Sequence, residues 1–264
     1  SAETPANDQF AVPADAAGAA WTGTWRHGDG SRTTAGGDWR TVTGETREHY
    51  FFDGAAGDFS RLRVAGGKQK GGGVFALHER PLTESLRAII GARVDWWKDS
   101  DGHRRESLLA TGVASRDENY APLDGNEFSP SAGLVWTSGR AWRVHTNVQQ
   151  GYRRPTLNEL HRPFRIGANV TEANAALRTE KVTSGEIGAE WMLPGAAGAA
   201  APPMFTLGAT AFWNDLRDAV GNVTLYRGPG SFPIVGFLSS GAAGRQRLNL
   251  DRVRVQGVEL TVAW

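Results

Sequence analysis

Two stretches of polar and apolar alternation flank a long insert at residues 142–193. In the first stretch, one set of alternate positions is mainly apolar: Trp142, Val144, Thr146, Val148 and Tyr152. The positions between them are polar: Arg143, His145, Asn147 and Gln149. The second stretch alternates in the same way, with Ile187, Ala189, Trp191 and Leu193 set between Glu186, Gly188 and Glu190. Since the side chains of a β-strand point to opposite faces in turn, the pattern predicts two strands with one apolar side.

A membrane-spanning helix is excluded by the same sequence, because no stretch approaches the roughly 18 uncharged apolar residues that such a helix needs. A β-barrel remains possible, since its strands need only about 9–11 residues and expose half of them to a polar lumen. A soluble sandwich would show the same alternation. Periodicity alone therefore does not identify what covers the apolar side.

Composition narrows the functional classes. The chain has 29 Lys and Arg against 28 Asp and Glu, so no overall basic charge favours nucleic acid as a partner. The absence of Cys excludes disulfide scaffolds and thiolate metal sites. The 34 Gly and ten Trp are unusual for a cytosolic enzyme.

Three phrases in and around the insert carry a family resemblance. They are Gly-Tyr-Arg-Arg-Pro-Thr-Leu-Asn-Glu-Leu-His at 151–161, Asn-Ala-Ala-Leu-Arg-Thr-Glu at 174–180 and Ser-Gly-Glu-Ile-Gly-Ala-Glu-Trp at 184–191. In this order they closely resemble consecutive signatures of the barrel domain of TonB-dependent outer-membrane receptors. Arg154 stands where the family usually has Ala, and Thr179 where it usually has Pro. The order and spacing are those of the family.

Further phrases extend the resemblance over residues 73–264. Those that look like the family's strands lie at 73–77, 91–96, 128–136, 212–220 and 249–260. The resemblance implies an all-β fold, an antiparallel transmembrane β-barrel with long extracellular loops and short periplasmic turns. We expect about 8–12 strands of a barrel of about 22 strands. The chain is thus expected to be a fragment: residues 1–72 would form N-terminal barrel strands and loops, residues 73–264 the middle-to-late barrel, and no plug domain is visible.

Several segments are predicted to be irregular because they are rich in Gly, Pro or polar residues. Residues 1–20 are interpreted as a loop or frayed end, residues 66–73 as a flexible turn and residues 98–127 as a long external loop. Residues 194–203 are interpreted as a low-complexity periplasmic turn, and residues 221–244 as another external loop. Ser138 and Gly139 are expected to form a tight hairpin turn before Trp142.

The resemblance also implies a function. Family members capture a scarce nutrient outside the outer membrane of a Gram-negative bacterium and import it with energy from TonB and its inner-membrane motor. For this chain the most favoured ligand is a ferric siderophore, so we expect a receptor for siderophore uptake and iron transport. No cofactor is implied. The expected partners are the small-molecule chelate, outer-membrane lipid and, in the full-length protein, TonB.

Aromatic and cationic residues of the expected external loops are the candidate ligand-binding groups. Arginine forks bind carboxylate or catecholate oxygens, and aromatic rings give flat contact area. The candidates are Trp97, His103, Tyr120, His161, Arg162, Arg165 and Tyr226. The competing interpretation is that such residues form interface girdles or pair with one another in the lumen, as barrel residues commonly do.

Catalytic and metal motifs are not found. The six His residues form no zinc-binding motif. There is no Gly-x-Ser-x-Gly elbow or Walker spacing, and Asp95, Asp99 and Asp101 lack the frame of a calcium loop. We therefore predict neither catalytic nor metal-binding residues, and no enzyme.

The sequence leaves two alternatives to a receptor open. One is a soluble all-β carbohydrate-binding or hydrolase module, whose strands would bury their apolar sides against a second sheet. The other is an outer-membrane barrel enzyme or passive pore, which would keep the fold and change the function.

Overall fold

A computed structural model describes residues 5–139, 141–193 and 204–264. Over these residues the chain forms fifteen strands and one short helix. The first eight strands are β1 (Asn7–Ala11), β2 (Ala14–Arg26), β3 (Arg32–Asp53), β4 (Asp58–Pro81), β5 (Leu86–Leu108), β6 (Ala114–Asn119), β7 (Leu123–Ser138) and β8 (Trp142–Arg153). Helix α1 (Leu157–His161) follows, and then β9 (Phe164–Ile166), β10 (Asn169–Glu172), β11 (Glu180–Leu193), β12 (Phe205–Arg227), β13 (Gly230–Phe232), β14 (Gly236–Leu238) and β15 (Ala243–Ala263).

Nine long strands form the wall. Their order follows the chain, β2-β3-β4-β5-β7-β8-β11-β12-β15, and every neighbouring pair is antiparallel. Strand β1 continues the edge beside β3, and β6 pairs with the far end of β5. The short strand β10 adds to β15 in parallel, and β9 pairs with β10.

The outer face of this sheet is apolar and uncovered. The predicted outward side chains are among the most exposed, for example Ile90 at 59%, Ile187 at 58% and Leu260 at 76%. A soluble sandwich requires a second sheet over these groups, but the only other sheet in the described ranges is the small β13–β14 hairpin. The fold is a partial transmembrane β-barrel, with lipid as the natural covering of this face.

The sheet is strongly curled. Strands β5 and β15 are separated by β7, β8, β11 and β12, yet the connection between β8 and β11 contacts both of them. Arg104 on β5 binds Glu172 on β10, and β10 pairs with β15 at Gly244–Gln246. Only a sheet bent around this connection can bring the two strands close to one short segment. The connection, residues 154–179, is called the inserted segment below.

The two ends of the wall differ, as expected. At one end the strands are joined by short turns, such as residues 27–31 and 82–85, and Gly30 and Gly139 at this end are in the left-handed region that glycine readily adopts. Ser138 pairs directly with Trp142 and is the last residue of β7, so the two-residue turn expected at Ser138 and Gly139 is wrong. The inserted segment and the 228–242 connection lie at the other end. This asymmetry is typical of periplasmic turns and external loops.

Several predicted irregular segments are strands instead. Residues 7–11 and 14–20 are paired with β3, so residues 5–20 are not a frayed end; residues 1–4 lie outside the described ranges. The glycine run at 66–73 lies within β4, paired on both sides. Most of the expected loop at 98–127 belongs to β5, β6 and β7, and β12 extends to Arg227, which shortens the external loop expected at 221–244. The low-complexity turn at 194–203 lies outside the described ranges.

These errors share a physical cause. A segment rich in polar residues and glycines was interpreted as irregular because strands were expected to be apolar. Here one face of the sheet lines a crowded, polar interior, so such residues occur within the strands. The β8–β11 ladder is unbroken from Trp142 to Arg153, so Tyr152 has the strand parity of Trp142. Its side chain nevertheless lines the same cavity as Asp95 and Trp97.

Candidate functional site

The inserted segment begins with a capped helical turn. Thr156 is the N-cap of α1: its hydroxyl accepts a hydrogen bond from the Glu159 backbone N–H, and the Glu159 carboxylate accepts one from the Thr156 N–H. This reciprocal capping box satisfies donors that a helix start leaves free. The turn directs Leu160 and His161 inward, where they are 2% and 5% exposed.

A row of three glycines on β3, β4 and β5 receives this turn. Gly44 pairs with Gly67, and Gly67 lies beside Gly102 at a bulge in β5. A Cβ at Gly102 would lie 2.6 Å from Cε1 of His161, and one at Gly67 would lie 3.1 Å from Cδ2 of Leu157. The close approach of α1 therefore requires glycine at 67 and 102, whereas a Cβ at Gly44 would make an ordinary contact with Leu157 at 3.6 Å. The name glycine row refers to Gly44, Gly67 and Gly102.

His161 is buried as a neutral imidazole. Its ring stacks on Tyr120, with centroids 4.9 Å apart and planes 13° from parallel. Burial, and then the charge of His103, lowers the pKa of His161 to about 4. Its Nδ1 has no hydrogen-bond partner within the described residues. The ring is thus held by shape rather than by polar contacts.

A row of alternating charges lies next to the glycine row, toward the open end. Glu48 pairs with Arg63 across β3 and β4, and Arg63 pairs with Glu106 across β4 and β5. Arg63 donates from Nη1 to Glu48 at 3.0 Å and from Nε to Glu106 at 2.7 Å. All three side chains are at least nine-tenths buried. This set is called the charge row.

The inserted segment completes the bonding of the charge row. Arg162 donates to Glu48 at 2.6 Å, and Arg104 joins Glu106 at 2.8 Å to Glu172 of β10 at 2.6 Å. Buried charges are tolerated only when they are paired and hydrogen-bonded, because leaving water costs several kcal/mol for each ion. The wall and the inserted segment therefore stabilise each other.

A second contact fixes the start of the inserted segment lower on the wall. The Arg154 guanidinium lies 5.0 Å from the ring centre of Trp97, donates to the Lys70 carbonyl at 3.1 Å and forms a salt bridge with Asp99. Below it lies a cavity of about 380 Å³ that Trp97 also lines. The inserted segment thus separates this inner cavity from the open end.

An arginine-lined pocket of about 180 Å³ lies above the inserted segment, toward the open end. Five arginines line it against two glutamates. The arginines are Arg61, Arg63, Arg104, Arg116 and Arg165, and the glutamates are Glu106 and Glu172. We call this the arginine pocket.

Two arginines of the pocket are not neutralised. Arg63, Arg104 and Arg116 form salt bridges with glutamates, but Arg61 and Arg165 form none with any carboxylate that the structure describes. Both guanidinium groups lie over the ring of Phe51, at 4.7 and 5.4 Å from its centre. Burial, and then the charge of Arg63, lowers the pKa of Arg165 from its ordinary value. An anion entering the pocket would meet two available donors.

The sequence-predicted site residues are distributed over three places. Tyr120, His161 and Arg162 lie at the contact of the inserted segment with the wall, Trp97 lies below it, and only Arg165 lines the arginine pocket. His103 binds Glu45 at 3.1 Å on the other face of β5. Tyr226 stacks on Phe232 in a separate apolar cluster under the β13–β14 hairpin.

Sequence reasoning missed the other pocket residues, Phe51, Arg61, Arg63, Arg104 and Arg116. A signal was available: Arg61 and Arg63, and likewise Arg104 and Glu106, are spaced two apart, which places both charges of each pair on one face of a strand. For Arg104 and Glu106 this signal was lost because residues 98–127 were interpreted as a loop.

Neither a metal centre nor a membrane-crossing helix is found over the described ranges. No group of three His, Cys, Asp or Glu residues there is placed to hold a metal ion. No helix there has the length and hydropathy to cross a membrane.

Solved structures resemble the chain in fold. The hemophore receptor HasR of Serratia marcescens, solved as a double mutant with its hemophore HasA and heme, aligns with a TM-score of 0.65 and 14% identity over 95% of this chain and 39% of that one. The ferric yersiniabactin uptake receptor FyuA of Yersinia pestis gives 0.61 and 15% over 95% and 33%. The copper transporter OprC gives 0.66 and 16% over 94% and 35%.

The chain spans between a third and two fifths of the length of these receptors. No curated protein sequence matches it. A sequence model of one family, described as TonB dependent receptor-like, beta-barrel, matches residues 3–264, almost the whole chain. Together with the curled sheet of long antiparallel strands, this match shows that the chain belongs to the β-barrel family of the TonB-dependent receptors.

Proposed function

We propose that the chain supplies part of the wall and the external mouth of a receptor that captures an anionic metal chelate, with a ferric siderophore as the favoured ligand. The single observation that carries the proposal is the arginine pocket. It holds five arginines against two glutamates, and Arg61 and Arg165 have no carboxylate partner among the described residues. Charge-assisted hydrogen bonds from guanidinium groups suit carboxylate and catecholate oxygens.

Family membership supports the rest of the proposal. The receptor would reside in the outer membrane of a Gram-negative bacterium and would import the chelate into the periplasm with energy delivered by TonB and its inner-membrane motor. No bond of the ligand is made or broken in this process. Residues 1–72 and 73–264 would be consecutive parts of one barrel wall.

In this proposal, the inserted segment divides the path of the ligand through the barrel into two compartments. A ligand in the arginine pocket lies on the outer side of the segment, and the cavity beside Trp97 and Arg154 lies on its inner side. Capture would therefore precede any displacement of the segment. The remaining predicted residues, His103 and Tyr226, are proposed to contact the ligand outside the arginine pocket.

The proposal is tested by binding of a ferric tris-catecholate to the detergent-solubilised protein, followed by tryptophan fluorescence. Replacing Arg61 and Arg165 together with Gln removes two charge-assisted hydrogen bonds of about 1.5–3 kcal/mol each, so we expect the affinity to fall at least tenfold. The matched control is Arg143→Gln, at the opposite end of the wall, where the arginine is half exposed.

The control should bind as the parent does. Equal affinity for the parent and the double variant, or no binding by the parent, would reject the arginine pocket as the capture site. The same titration at higher salt should weaken the parent more than the double variant, because screening acts on the charges that the variant lacks.

A further inference from the structure

Phe51 has an unusual backbone conformation for a bulky residue. Its φ is +62°, in the left-handed region where side chains other than Asn, Asp and Gly are rarely found. The β3–β4 ladder pairs Tyr50 with Arg61 and Phe52 with Phe59, but Phe51 and Ser60 between them are not paired. The Ser60 hydroxyl instead donates to the Phe51 carbonyl at 2.9 Å. The strand is therefore locally rotated at this one residue.

The rotation places the Phe51 ring in the arginine pocket. The ring lies under the guanidinium groups of both Arg61 and Arg165, the two arginines without a described carboxylate partner. Arg61 comes from the wall and Arg165 from the inserted segment, so the ring connects the two. An aromatic face attracts a cation through its quadrupole and leaves the N–H edges of the guanidinium free to donate.

Strained residues persist where the surrounding structure holds them, and they cluster at ligand sites. From this geometry we propose that Phe51 is the positioning residue of the arginine pocket: its ring holds Arg61 and Arg165 apart from carboxylates and with their donors directed at one anionic ligand. This inference rests on the proposed function and adds the residue that orients the binding groups. It predicts that the ring contributes to affinity, and that its backbone conformation costs stability.

Three substitutions separate these contributions. Phe51→Tyr keeps the ring and should bind the ferric tris-catecholate within twofold of the parent. Phe51→Leu keeps apolar bulk but removes the aromatic face, so we expect at least fivefold weaker binding. Phe51→Gly removes both ring and strain; its binding should fall as far or further, while its thermal unfolding midpoint stays at or above that of Phe51→Leu.

The matched control is Phe52→Leu on the same hairpin. Phe52 packs edge-on against Phe59 with ring centres 5.5 Å apart and does not line the pocket. Its loss should lower the unfolding midpoint without changing affinity. A double-mutant cycle of Phe51→Leu with Arg61→Gln should show that the two losses are not additive, because both act on one guanidinium.

The outcomes distinguish the two proposals. If the parent and Phe51→Leu bind equally while the Arg61 and Arg165 double variant does not bind, the positioning role is wrong and the capture site stands. Equal weakening in Phe51→Tyr and Phe51→Leu would likewise reject the role of the aromatic face. If the parent does not bind the probe, the capture site and the positioning role are both overturned.

Discussion

The inner surface of this barrel wall has two regions of similar composition and different environment. On β3, β4 and β5, the charge row is covered by the inserted segment, and Glu48 is 1% exposed. On β8 and β11, near the short turns, Arg143 and Glu190 approach to 3.7 Å but are 49% and 33% exposed. The ion pairs of the charge row are removed from water, whereas the pair of Arg143 and Glu190 is not. The comparison teaches that the inserted segment, rather than the strands, decides which inner charges matter for stability.

The sharpest test of this difference is Glu48→Gln. The substitution keeps the shape but leaves Arg162 without a carboxylate partner, while Arg63 keeps Glu106. One positive charge in the buried site is then uncompensated, which costs about 3–5 kcal/mol. We expect the free energy of opening of residues 154–166, measured by amide hydrogen exchange in detergent micelles, to fall by that amount or to the limit of detection.

Glu190→Gln is its matched control on the uncovered wall. An exposed pair contributes about 0–1 kcal/mol, so hydrogen exchange in the inserted segment should not change. A loss at Glu190 as large as that at Glu48 would show that the covering segment makes no difference.

A pH titration gives the next largest effect. The pKa of His161 is about 4 in the folded protein and about 6.5 in an unfolded chain, so the unfolded state binds the extra proton between these values. The stability that neutral His161 contributes is complete above pH 6.5 and is lost as the pH falls toward 4. At about 1.4 kcal/mol per pH unit, the loss approaches about 3 kcal/mol.

The measurement is the opening free energy of the inserted segment at pH 7.5 and at pH 4.5, in the parent and in His161→Asn. The variant lacks the titrating ring, so its pH dependence should be smaller by most of this amount. His78→Asn, near the short-turn end of β4 and bonded there to Thr33, is the control and should retain the full dependence. Identical pH profiles for the parent and His161→Asn would contradict the assignment.

The glycine row provides the third test. In Gly102→Ala the new methyl group would lie 2.6 Å from the His161 ring, so the helical turn must move outward, and overpacking of this kind costs about 1–3 kcal/mol. The comparison is Gly208→Ala on β12, where the nearest atom is Cγ of Glu190 at an ordinary 3.6 Å. Faster hydrogen exchange at 157–161 in the first variant alone is the expected result.

Much of the wall was predictable from sequence, for a definite reason. Strands such as β11 and β12 have one face toward lipid and one toward a roomy interior, so their apolar side chains alternate and the alternation is readable. The middle of strand β4, residues 66–73, was not predictable because Gly67 and its neighbours accommodate another segment instead of carrying side chains of their own. No local signal in 66–73 indicates what will pack there.

The candidate site shows the same division. His161 and Arg162 were singled out as aromatic and cationic residues of an expected external loop, and both lie at the contact with the wall. Arg61 and Phe51 were missed, since their role depends on Arg165, which is more than a hundred positions away in the sequence. The contact between these strands and the inserted segment arises only when the sheet curls. The sequence of a single strand therefore does not indicate it.

The glycine row has a consequence for how such a receptor can change its ligand. Because α1 packs against glycine backbone, the glycine row limits how much space the helical turn can occupy and does not select its side chains by their chemistry. Residues beyond α1, such as those facing the arginine pocket from β9, can then be rewritten while the anchoring geometry is kept. The wall can thus stay constant while the sequence of the inserted segment beyond α1 changes.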